Sequence, residues 1–131
     1  MGKYDKFDPK WITGEVPIDD DVIEWTKNFG KKLSPKGNDK YKPLTTSQIR
    51  KFFGEVKRIQ ASFDKHKDDI PLLNAKLAYA VGRNSYSRIE YLYNELESGI
   101  KAINGNQDNY NRFVNIVESI VAFHKFHGGK D

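Results

Sequence analysis

Ile49, Phe52, Phe53, Val56, Ile59 and Phe63 recur at intervals of three and four residues, the spacing that lays side chains along one face of an α-helix. Thr45 or Thr46 stands before the run, where a side-chain oxygen caps the first turn. The same period predicts a helix from Pro71 to Gly82 with Leu73, Leu77, Ala80 and Val81 inward, Pro71 suiting its first turn. A further helix runs from Ser85 to about Asn104 through Ile89, Leu92, Tyr93, Leu96, Ile100 and Ile103. The last runs from Asp108 to about His127, with Phe113, Ile116, Val117, Ile120 and Val121 inward and two glycines beyond it. Upstream, Asp21–Leu33 reads as a shorter helix capped by Asp19 or Asp20, with acids in its first turn and Lys31 and Lys32 in its last, as the helix dipole favours.

Between these segments, SPKGNDKYKP (34–43) and DKHKDD (64–69) read as loops, and residues 1–18 show no sustained period and read as an extended or mobile lead-in. No alternating strand pattern competes. The expected fold is all-α: a single-domain bundle of about five helices, with residues 1–43 a partly irregular lead-in and 44–131 the helical core. At 131 residues and 37% hydrophobic content, one modest core is affordable. No apolar run is long enough for a membrane span, and MGKYDKFDPKW lacks the apolar centre of a signal peptide, so a cytoplasmic protein with no membrane partner is expected.

Charge changes the picture. The net charge is only +4, yet residues 44–83 hold eight cations against four acids and so carry the whole excess. On a helical wheel Arg50 and Lys57 stack along one side of a polar face, Lys51 and Arg58 along the other, and the small residues Ser47, Gly54 and Ala61 run between them. Such a shelf admits a phosphodiester backbone, each cation neutralising a phosphate and releasing counterions. Lys76, Tyr79 and Arg83 add an aromatic ring between two cations, the ring suited to stacking on a base or ribose. The plainer readings are a solvated helix face and, for Tyr79, a core-edge tyrosine. Residues alone do not separate RNA from DNA.

Other chemistry is thin. The chain has no cysteine, which excludes a disulfide framework, a thiolate zinc site and a cysteine nucleophile. His124 and His127, three apart on an apolar helix side, read as hydrogen-bonded histidines near a helix end rather than metal ligands or an acid–base pair, and His66 sits alone in a charged loop. Asp19, Asp20, Asp21 and Glu24 read as a dipole-complementing cap rather than a cation site. No phosphate-cradling glycine loop, nucleophile elbow or zinc spacing occurs. The expectation is no enzyme, no cofactor and no metal.

Three stretches together, TTSQIRKFFGEV (45–56), LLNAKLAYAVGR (72–83) and VAFHKFHGGK (121–130), resemble the small subunit of the type III-A CRISPR effector, the Csm complex. The resemblance implies a non-catalytic helical protein, present in more than one copy beside the other Csm subunits, that holds the duplex of guide RNA and target RNA, with catalysis lying in neighbouring chains. The RNA-facing surface it implies falls on Arg50, Lys51, Arg58, Lys76 and Arg83, with Lys125 and Lys130 near the C-terminus. The rival reading is a structural module whose basic stripe docks on acidic subunit surfaces.

Overall fold

Every long apolar stripe becomes a helix in the computed structural model, which describes residues 2–128. In chain order the helices are α1 (Lys10–Thr13), α2 (Asp20–Leu33), α3 (Thr46–Ala61), α4 (Phe63–His66), α5 (Ile70–Arg83), α6 (Ile89–Ile103) and α7 (Gln107–Phe126), with a 3₁₀ turn, Lys67–Asp69, leading into α5. The fold is all-α. The described residues contain only an isolated bridge, Lys42 to Ser87, in place of any strand. None of the described helices is long and apolar enough to cross a membrane.

The helix starts follow from local chemistry. The Asp19 carboxylate accepts from the amides of Asp21 and Val22, so the acid run caps α2. Thr45 and Gln48 form a reciprocal capping box on α3: the Thr45 hydroxyl accepts from the Gln48 amide, and the Gln48 side chain accepts from the Thr45 amide. Asn106 caps α7 through the amide of Asn109.

α7 is the central element, with α1, α2, α3 and α6 all packed on it, while α5 lies on α6. Along α7, Phe113, Ile116, Val117 and Ile120 are buried as the pattern predicts. Tyr110 joins them, its hydroxyl donating at 2.6 Å to the Val56 carbonyl of α3, and burial pushes its phenol pKa up. At the α2–α7 crossing Gly30 is required by close approach, because a Cβ there would lie 2.8 Å from Phe123 Cβ and 2.9 Å from the His124 amide.

Three segments differ from the sequence-based expectation. Residues 1–18 are not simply an extended lead-in: Phe7, Trp11 and Ile12 are buried, and Trp11 packs against Phe7, Tyr4 and Trp25 with ring centroids 5.0 to 5.3 Å away. The Phe7 ring fits against Gly99 of α6, the Phe7 amide donates to Glu95 at 2.9 Å, and Arg112 Nε donates to the Ile12 carbonyl at 2.7 Å. Aromatic anchors suffice here without any helical period. DKHKDD, expected as a loop, is helical turn because α3 breaks only at Ser62 and Phe63 turns back into the core. α6 begins at Ile89 rather than Ser85, since the Tyr86 carbonyl and the Arg88 amide are used in hydrogen bonds to Lys42 at 2.7 and 2.9 Å.

Candidate nucleic-acid interface

On the polar face of α3, Arg50, Lys51, Lys57 and Arg58 are all exposed, as are Ser47, Gly54 and Ala61 between them. A Cβ built on Gly54 would meet nothing within 4 Å, so the shelf is open along its middle. Lys57 extends over the ring of half-buried Phe53, with Nζ 5.9 Å from its centroid. That contact lets the alkyl stem cover apolar surface while the ammonium stays in water.

α3 and α5 are joined through Glu55. Its carboxylate accepts from Lys76 Nζ at 2.7 Å and from the Arg58 guanidinium at 3.4 Å. The hydrogen bond from Lys76 holds the Glu55 carboxyl below the usual carboxylate range. Arg58 reaches further, to Asp69 at 3.1 Å and to His66 Nδ1 at 3.2 Å, and the Asp69 contact pushes the guanidinium pKa up. His66 is therefore a member of this network rather than a lone loop histidine. Helix geometry thus brings Arg58 and Lys76 together, but around acids that temper them.

Farther along α5, Tyr79 is 67% exposed, so it is no core-edge ring, and the Arg83 guanidinium sits 5.6 Å from its centroid. Leu72 is also exposed on α5. Lys125 lies elsewhere: with Arg50, Thr46, Ile49, Val121 and His124 it lines a shallow cleft between α3 and α7. The predicted cations therefore divide between the α5 side and the α7 side of α3. Lys130 lies outside the described residues.

The two histidines of α7 serve the fold. His124 is buried, its Nε2 donating to the Leu44 carbonyl at 2.6 Å, and desolvation pushes its pKa below the ordinary histidine value. His127 Nδ1 makes a 2.8 Å hydrogen bond to the Phe123 carbonyl at the helix end. Among the described residues no three or more His, Asp or Glu side chains gather as a metal site.

One constellation escapes sequence reasoning. Arg88 is buried, and its guanidinium donates to the carbonyls of Ser34 at 2.5 Å, Asp39 at 3.0 Å, Gly37 at 3.3 Å and Lys32 at 3.4 Å, which fixes the lysine-rich loop. On that loop Asp39 accepts from the Tyr41 amide at 2.9 Å and the Tyr91 hydroxyl at 2.6 Å. These bonds lower the Asp39 carboxyl pKa and, through the hydrogen bond to Asp39, push the Tyr91 phenol up to about 12. The available signal was the loop itself, ten residues with no helix or strand to satisfy their carbonyls, which demands donors from elsewhere.

No solved structure matches the chain. A family model described as Csm2 Type III-A matches residues 19–130 and so spans α2 through the described part of the third motif. The chain belongs to the Csm2 family of type III-A systems. The CRISPR system Cms protein Csm2 of Streptococcus thermophilus is 30% identical over 93 residues, which cover 67% of this chain and 76% of that protein. The small-subunit resemblance is thereby borne out, and other Csm subunits are the partners that membership implies. The seat of Phe7, Trp11 and Ile12 precedes the matched range, so that part of the core stands on the geometry alone.

Proposed function

We propose that this Csm2-family subunit is a non-catalytic rail for the duplex of guide RNA and target RNA, acting in the cytoplasm in more than one copy within the Csm complex. The observation that carries the reading is the open shelf of α3, where exposed Lys51 and Lys57 flank Gly54 and α5 adds Lys76, Tyr79 and Arg83 beside it. Lysine and arginine at this spacing neutralise phosphates without reading base edges, the property a subunit serving many guides requires. Arg50 and Lys125 extend the positive surface across the α3–α7 cleft. Chemistry on the RNA is left to neighbouring subunits.

A second reading has its own observation in favour: Leu72 and Tyr79 expose apolar surface on α5, and Glu55 offsets two of the cations, both suited to a protein contact. Complexes assembled with Lys51→Ala, Lys57→Ala or Arg83→Ala separate the two. On the rail reading target-RNA affinity falls by a similar amount on unrelated sequences, and each lost phosphate contact lowers the salt slope by about 0.7 to 0.9. Unchanged affinity and salt slope with failed incorporation of the subunit would replace the rail with a docking surface.

A further inference from the structure

We infer that Tyr86, backed by Tyr41 and Tyr91, is a stacking platform for an unpaired RNA base at the end of the α3–α5 rail. The inference rests on the RNA reading above and adds a second kind of contact to it.

Tyr86 is 71% exposed and takes a left-handed backbone with φ of 58°, an unusual conformation for a bulky residue. What holds it there is visible. Its carbonyl accepts from the Lys42 amide at 2.7 Å, and the next bond, from the Arg88 amide to the Lys42 carbonyl at 2.9 Å, completes the bridge. Its ring meets Tyr41 edge-on at 5.9 Å, and Tyr41 stacks on Tyr91 at 5.6 Å with the rings 12° from parallel. Tyr91 is anchored to Asp39 and covered on another side by Lys32, whose Nζ lies 4.7 Å from its centroid. The exposed ring is thus ordered in advance, which lowers the entropy cost of using it.

Position and charge identify the occupant. Tyr86 follows the end of α5 at Arg83 by three residues, and Lys42 precedes the Thr45 cap of α3 by three. The bridge between them therefore ties the platform to the ends of both basic helices. The surrounding loop contributes exposed Lys36, Lys40 and Lys42, and the carboxylate of Asp39 is already engaged by Tyr41 and Tyr91. An aromatic face among ammonium groups fits a polyanion with flat rings. A base inside a duplex has both faces covered by its stacked neighbours, so the ring selects a base outside the duplex, and it does so without sequence preference because every base presents a π face.

The test uses effector complexes carrying Tyr86→Asn or Tyr86→Phe, since Asn tolerates the left-handed backbone, titrated with target RNAs that carry 2-aminopurine at successive positions. Tyr86→Asn is expected to lower affinity by about fivefold to 100-fold, to leave the salt slope unchanged, and to brighten 2-aminopurine at a defined position where the tyrosine quenches it. Tyr86→Phe should keep wild-type affinity, because the stacking face is retained. If Tyr86→Asn leaves affinity and fluorescence unchanged while Lys51→Ala lowers the salt slope, the platform is overturned and the rail stands. If neither substitution moves affinity, both readings fall together. Loss of the Tyr86→Asn subunit from otherwise normal complexes would make the cluster a protein contact and overturn the inference as well.

Discussion

Two glycines inside long helices mark how differently the two faces of this protein are built. Gly30 lies where α2 crosses α7, and any Cβ would collide with Phe123 and with the backbone of His124 and Ile120. Gly54 lies on the outer face of α3, where a Cβ would touch nothing. Beside Gly30 the hydroxyls of Thr26 and Ser119 bond to each other at 2.7 Å. Around Gly54 exposed cations face outward instead. The same residue type thus serves helix packing in one place and leaves room for something outside the chain in the other. Sequence spacing does not distinguish them, because the difference lies in which element covers each.

The covered face reaches as far as Trp11, whose complete burial predicts the largest effect. Trp11→Ala should destabilise the fold by about 3 to 5 kcal/mol, as removal of a large buried ring does, measured by chemical denaturation of the full chain. An unchanged midpoint would detach residues 2–18 from the core and shrink the covered face to α2 and α7.

The glycines themselves give a smaller and sharper contrast, because their substitutions are predicted to have opposite signs. Gly30→Ala should cost about 1 to 3 kcal/mol through overpacking. Gly54→Ala should stabilise α3 by up to about 1 kcal/mol, since alanine is the better helix former and meets no neighbour. Thermal melts of the two variants check both, and two shifts of the same sign would erase the distinction.

Much of the fold was legible because local rules govern it. The capping box at Thr45, the acid run before α2 and the apolar stripes of the five long helices are all short-range signals, and each marks a real element. The seat of Trp11 was not legible, since its partners Trp25 and Gly99-supported Phe7 are brought together by packing rather than by period. The site divides in the same way. A helical wheel places Lys51, Gly54 and Lys57 on an outer face, but it cannot show that Glu55 draws Lys76 from another helix. Nor can it find Arg88, whose four carbonyl partners lie at least 49 residues away in sequence.

The smallest predicted stability effect concerns that same Glu55, and it sharpens the contrast from the open side. The carboxyl pKa is held below its ordinary 4.5, chiefly by the hydrogen bond from Lys76, so the carboxylate contributes stability that is fully present above that value. The contribution is lost as pH falls through the lowered folded-state pKa. It is small, about 0.2 to 1 kcal/mol, because both partners are partly exposed to solvent. Glu55→Gln should remove this part of the acid sensitivity, which melts of both proteins between pH 6 and pH 3 would register as a shallower dependence for the variant. Its effect on RNA should have the opposite sign. Removing the acid between Arg58 and Lys76 releases Lys76 and leaves Arg58 with Asp69 as its remaining acid, so target affinity of the assembled complex should rise by about fivefold or less at low salt. Lys76→Ala should lower it. A Glu55→Gln complex that binds target RNA as the wild type does, but takes up the substituted subunit poorly, would assign the Glu55–Lys76 pair to subunit docking and confine the RNA rail to the α3 shelf.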